Sequence, residues 1–85
     1  MIEDDALTLD RIRAGDDSAF ALLVRRYEPK LRAYVSQMVG VEEEARDLVQ
    51  EAFIRAWKHL DQYDSTFRFS TWLFRIAHNL AIDHI

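Results

Sequence analysis

Cysteine is absent from these 85 residues, which removes disulfide staples and thiolate metal sites and fits a reducing compartment. Proline occurs once and glycine twice, too few breakers for a loop-dominated chain. No apolar run approaches the roughly 20 residues of a membrane span, and the acidic start is no signal peptide. A cytoplasmic location with no membrane partner is therefore expected. A Ser/His/acid set, a phosphate-cradling glycine loop and metal-ligand spacing are also missing. His78 and His84 are six apart, a poor fit to one helix face, and His59 stands alone. The sequence thus predicts neither an enzyme nor a cofactor or metal site.

What the chain does have is apolar residues (49%) in long periodic runs. This composition predicts an all-α fold: one domain over residues 1–85, a small bundle of about four helices around a single modest core. Charge is unevenly placed. Residues 1–51 carry 12 acids and 7 bases; residues 52–85 carry 3 acids, 4 bases and all three histidines. The last third can meet a phosphate backbone without strong repulsion. With a net charge of −4 overall, duplex DNA is not held by charge alone. Any nucleic-acid contact needs stacking, base-edge bonds or a partner that holds the DNA.

The first helix is predicted over Asp4–Arg13, with Ala6, Leu9 and Ile12 or Arg13 near one face and Gly15 ending it. Asp16, Asp17 and Ser18 are N-cap candidates for a second helix. Its apolar spacing runs Phe20, Leu23, Val24, Tyr27, Leu31, Tyr34, Val35 and Met38, and Gly40 closes it. Pro29 interrupts that run, so a kink or break is expected near Tyr27–Pro29. A third helix is predicted from Glu42 to Leu60, its acidic first turn suited to the positive end of the helix dipole. Its buried stripe comprises Ala45, Leu48, Val49, Ala52, Phe53, Ala56, Trp57 and Leu60. A polar connection, Asp61 to Arg68, leads to a fourth helix from about Ser70. There Phe69, Trp72, Leu73, Ile76, Ala77 and Leu80 form the stripe, and the pattern reaches Ile85 without a stop signal, as a truncated chain would.

Two outward surfaces stand out. At 100° per residue, Gln50, Glu51, Ile54, Lys58 and Asp61 fall within about 60° of Asp47, opposite the core stripe. Most of this is an ordinary solvated face, with Glu51 and Arg55 one turn apart. Ile54 is the exception, an apolar residue inside an Asp47/Gln50/Glu51 rim, which has the anatomy of a protein contact, although a single exposed apolar residue is also ordinary. The second surface joins the connection to the fourth helix. Tyr63, Phe67 and Arg68 among amides and hydroxyls suit a pocket for one unstacked base, but composition alone favours a polar helix–helix loop with Tyr63 and Phe67 folded onto the core. On the fourth helix Thr71, Arg75, His78 and Asn79 share a stripe, with Phe74 beside it as an aromatic the core does not need. These side chains can donate to base edges or phosphate, Asn79 through paired donor–acceptor bonds to a base; an ordinary solvated face accounts for the stripe equally well.

The order DLVQEAFIRAW (Asp47–Trp57) then FRFSTWLFRIAHN (Phe67–Asn79), preceded by GDDSAFALLVRRYEPKLRAYV (Gly15–Val35), resembles region 2 of bacterial RNA polymerase sigma factors of the extracytoplasmic-function group. The resemblance implies a domain that docks on polymerase and opens promoter DNA. By matching position, Asp47, Gln50, Glu51, Ile54 and Trp57 would bind the clamp coiled coil of the largest polymerase subunit. Tyr63, Arg68, Phe69, Ser70, Thr71, Arg75, His78 and Asn79 would contact the single-stranded non-template −10 element, capturing a flipped base. A regulatory anti-sigma partner is also implied. The basic residues that usually follow in this family, and its second DNA-reading domain (region 4), are not in the chain. The alternative is a helical protein-interaction module bound by a regulatory partner, with no DNA reading.

Overall fold

The computed structural model describes residues 5–85. Four α-helices make up most of it: α1 (Asp5–Arg13), α2 (Phe20–Val39), α3 (Glu42–Lys58) and α4 (Phe69–His84). Helices α2, α3 and α4 pack on one another pairwise, and α1 lies against α2. Asp4, the expected start of the first helix, lies outside the described residues.

The core is assembled from one stripe of each helix. Leu23, Tyr27, Leu31 and Val35 of α2 meet Ala45, Val49, Ala52, Phe53 and Ala56 of α3 and Phe69, Leu73, Ala77, Leu80 and Ala81 of α4. Small residues on α3 and α4 let the backbones approach while Phe69, Leu23, Leu31 and Leu73 fill the space between. Deleting one such Leu side chain costs about 2–5 kcal/mol. Every buried side-chain polar atom among the described residues has a partner.

The helix ends differ from the sequence expectation in instructive ways. The Asp16–Ser18 cluster does not cap α2 directly; a 3-10 turn, Asp17–Ala19, intervenes. Asp16 instead accepts from the Ser18 hydroxyl (2.6 Å) and the Arg11 guanidinium (2.8 Å). These two donors, Ser18 foremost, hold its carboxyl below the usual range. Gly40 ends α2 at φ 76°, where its N–H reaches the Ser36 carbonyl; this left-handed position suits a residue without Cβ.

Pro29 does not break α2, which continues through it to Val39. The proline is exposed, so the backbone bond it forgoes lies on the solvated side. Tyr27, Leu31 and Val35 anchor both halves of the helix in the core. Helix α3 ends at Lys58, two residues before the expected Leu60, which opens a 3-10 turn, Leu60–Gln62. Helix α4 starts at Phe69, one residue early.

The stripes also need correction at single positions. On α1, Leu9 and Ile12 are buried as expected, but Ala6 is exposed while Asp5 and Thr8 are buried. The Asp5 carboxylate accepts from the Arg26 guanidinium and the Tyr27 hydroxyl, both on α2. A buried carboxylate needs such partners, and periodicity could not anticipate this clip. Trp57, expected on the core stripe, is 40% exposed, with its ring edge-on to Phe20 at 5.1 Å between centroids.

Candidate functional site

The outward face of α3 is built as the helical arithmetic requires. Asp47, Gln50 and Ile54 are exposed, Ile54 at 47%, and Trp57 adds an apolar flank one turn on. Glu51 is half-buried and accepts from Arg55 Nε at 3.1 Å. That exposed i,i+4 pair is worth only about 0.3–0.5 kcal/mol, so a partner's cation can displace Arg55 at small cost. The result is an apolar knob and a partial indole beside three acceptor-bearing side chains.

The second surface starts at the segment between α3 and α4. Tyr63 and Phe67, two aromatics in one loop, are treated oppositely. Tyr63 is buried (8% exposed), its ring against Phe69 and Trp72 at 5.6 and 5.2 Å. Phe67 is left 63% exposed. Between them the chain reverses in a tight turn. The Phe67 N–H donates to the Asp64 carbonyl (3.1 Å) and the Thr66 N–H to the Asp64 carboxylate (2.9 Å). The Thr66 amide holds the Asp64 carboxyl below its usual range. The Tyr63 hydroxyl donates to the Phe67 carbonyl, tying the turn to the core. Asp64 followed by Ser65-Thr66 is the one local signal of this turn, an Asx-turn. No sequence pattern marks which aromatic faces out.

Three recesses surround this loop. One, of about 170 Å³, is lined by Gln62, Tyr63, Asp64, Phe67, Thr71, Trp72 and Arg75. A second, of about 270 Å³, continues along α4 between Arg55, His59, Gln62, Trp72, Ile76 and Asn79. The largest, of about 420 Å³, lies on the other side of Phe67, between the loop and α1. Thr71, Arg75 and Asn79 are exposed on α4 and border the first two recesses. Arg68 is exposed and lines the third; Ser70 is half-buried.

Three expected DNA contacts are placed differently. Phe69 is 2% exposed and belongs to the core; its ring has no free face for a base. Tyr63 lines two recesses but is 8% exposed, its ring packed on Phe69 and Trp72. His78 is half-buried and turned towards α2, with Nδ1 2.7 Å from the Tyr34 hydroxyl. Phe74, expected beside that stripe as surplus to the core, packs on the Tyr34 ring at 5.6 Å and joins the core margin. For Phe69, Phe74 and His78 the reason is shared: α4 touches α2 as well as α3, so more of its circumference is covered than one stripe implies, whereas Tyr63 is drawn in by Phe69 and Trp72. Gln62, Asp64 and Trp72 line the recesses without having been singled out as contacts.

A family model described as Sigma-70 region 2 matches residues 23–85, from α2 to the end of α4. The chain belongs to the Sigma-70 region 2 family. It is 46% identical over 77 residues to the Bacillus subtilis ECF RNA polymerase sigma factor SigW, covering 91% of this chain and 41% of that protein. It is 42% identical over 81 residues to the Escherichia coli K12 ECF RNA polymerase sigma-E factor, covering 95% and 42%. The chain thus spans about two fifths of the length of these curated relatives. Among solved structures, an engineered region 2 of sigmaE in complex with GTAAAA, determined by NMR, aligns with a TM-score of 0.86 and 44% identity. That alignment covers 99% of this region 2 chain and 90% of the other. The all-α architecture and the sigma-factor resemblance read from the sequence both hold. No helix among the described residues is long and apolar enough to cross a membrane.

Proposed function

We propose that this region 2 chain binds the clamp coiled coil of the polymerase largest subunit through α3, and reads a single-stranded −10 element through α4 and its preceding loop. The observation that carries the proposal is the recess of Gln62, Tyr63, Asp64, Phe67, Thr71, Trp72 and Arg75, open beside the exposed Asn79 side chain. It combines aromatic wall, amide, hydroxyl and guanidinium, the groups that hold an unstacked base. Support comes from the likeness to a sigmaE region 2 that binds GTAAAA.

In this reading a non-template base leaves the duplex stack and enters the recess. Unstacking costs a few kcal/mol; base–aromatic stacking returns about 1–3 kcal/mol, and bonds from Thr71, Arg75 and Asn79 supply the rest. Because the chain is acidic overall, affinity rests on these short contacts rather than on long-range attraction, and its salt dependence is shallow. On α3, Ile54 and Trp57 are the apolar anchors, with Asp47, Gln50 and Glu51 as acceptors for basic side chains of the clamp.

Titration with fluorescent single-stranded hexanucleotides tests the DNA part. Sequence-dependent binding that weakens in Asn79→Ala is expected. Indifference to sequence would favour the second reading, an interaction module held by an anti-sigma partner on the exposed Ile54–Trp57 surface.

A further inference from the structure

The proposed function uses the recess on one side of Phe67; the larger recess on the other side is unassigned. Its walls come from two stretches far apart in sequence. Helix α1 contributes Asp5, Ala6, Leu9, Asp10 and Arg13; the other wall is the loop, with Tyr63 and Ser65 to Arg68, and Phe69 at the start of α4. At about 420 Å³ it falls in the size range of small-ligand sites.

Two residues, Tyr63 and Phe67, line both this recess and the smaller one bordered by Thr71 and Arg75. Tyr63 is tucked into the core, so Phe67 is the exposed part of the partition. The turn that presents Phe67 is braced at three points: the Asp64 carbonyl, the Asp64 carboxylate and the Tyr63 hydroxyl. Leaving a Phe mostly in water atop a pinned turn forgoes burial that Tyr63 obtains four residues earlier. A pinned ring between two recesses is suited to stacking, because every base offers an apolar face.

The α1 wall adds recognition chemistry. Asp10 and Arg13 lie one turn apart on α1, and neither side chain forms an ion pair or hydrogen bond among the described residues. Asp5, by contrast, is committed to Arg26 and Tyr27. Asp10 supplies acceptors only, and Arg13 donors only. A nucleotide matches that pair, with an exocyclic amino group for the carboxylate and a phosphate for the guanidinium.

We propose that the α1–loop recess is a second nucleotide subsite, taking the unpaired base next to the one held beside Thr71 and Arg75, with the Phe67 ring between the two. It rests on the reading that this chain binds single-stranded DNA. The subsite accepts bases that carry an exocyclic amino group (adenine, cytosine or guanine) and discriminates against thymine through Asp10.

The test is an abasic scan. The hexanucleotide bound most tightly, chosen from a panel that includes GTAAAA, is resynthesised with one abasic site at each position and titrated against the 85-residue chain by fluorescence anisotropy. Two adjacent positions are expected to lose about tenfold or more in affinity. Phe67→Ala should weaken binding of the intact strand about tenfold and flatten the scan at both positions. Arg13→Ala should flatten the scan at one of them only. Asp10→Asn should remove discrimination against thymine at that same position. All three side chains are exposed, and thermal melting of each variant confirms that it is folded. A single sensitive position, or Arg13 and Asp10 variants that match the parent, overturns the second subsite and leaves the single-base reading standing. Absence of any oligonucleotide binding by the parent overturns both.

Discussion

The outward face of α3 and the loop–α4 surface are both exposed, yet they are made in different ways. The α3 face is one helix seen from outside: Asp47, Gln50, Glu51 and Ile54 are placed by 3.6 residues per turn and nothing else. The loop surface is composite. Its recesses need α1, the Asp64 turn, the start of α4 and the end of α3 to be in register. A surface carried by one rigid element tolerates change elsewhere; a surface assembled from four does not. The first should fail only by direct substitution, whereas the second should also fail through the core.

Tyr63→Ala strikes this difference hardest. Removing a buried aromatic costs about 3–5 kcal/mol, and it also frees the turn that presents Phe67. Chemical denaturation should show the loss of stability. At temperatures where the variant stays folded, oligonucleotide binding should vanish while clamp binding persists; equal loss of both would erase the distinction between the surfaces.

Asn79→Ala comes next. Losing paired bonds to a base costs about 1–3 kcal/mol, an affinity loss of roughly tenfold or more, with a melting temperature close to the parent's. Unchanged affinity would remove Asn79 from the interface.

Tyr34→Phe probes the covered side of α4. It deletes the hydroxyl 2.7 Å from His78 Nδ1, worth about 0.5–1.5 kcal/mol. A small fall in denaturation midpoint is expected, with oligonucleotide affinity preserved. A larger effect on binding than on stability would return His78 to the DNA-reading set.

Glu51→Lys should move stability by less than about 0.5 kcal/mol while sharply reducing capture of the polymerase clamp in a pull-down. Parent-like capture would sink the assignment of α3.

Acid gives the smallest effect. The Asp64 carboxyl is held below its ordinary value by the Thr66 amide. Its ionised form therefore favours the folded turn, and this contribution is complete above the unfolded value and lost as pH falls through the folded one. In an NMR titration the Thr66 amide should report a midpoint below that of a free aspartate. Asp64→Asn should abolish that titration while leaving the helices intact.

Much of the architecture was legible because periodicity speaks for packing. The α2, α3 and α4 stripes put nearly every large core residue where the structure has it. The misreadings cluster where two elements compete for one side chain. Trp57 was drawn onto the core stripe but sits edge-on to Phe20 at the margin. His78 and Phe74 fitted an exposed stripe until α2 covered them through Tyr34. Pro29 predicted a break that an exposed position made unnecessary. The exposure of Asp47, Gln50 and Ile54 on α3 was readable, since a single helix determines it, while Trp57 at the edge of that face was not. The loop surface was half-readable: its residue types suggested a base pocket, but which aromatic would be spent on the core was not encoded locally.

The amino-acid sequence alone determined the four helices, their buried stripes and the polar face of α3, because these follow from side-chain type at a fixed helical repeat. Only the tertiary structure decided that Tyr63 is buried and Phe67 exposed, that Asp5 is clasped by Arg26 and Tyr27, and that α1 and the loop enclose a recess. The physical reason is that burial is a competition for limited core volume among residues distant in sequence. Its outcome depends on the positions of all the competitors at once.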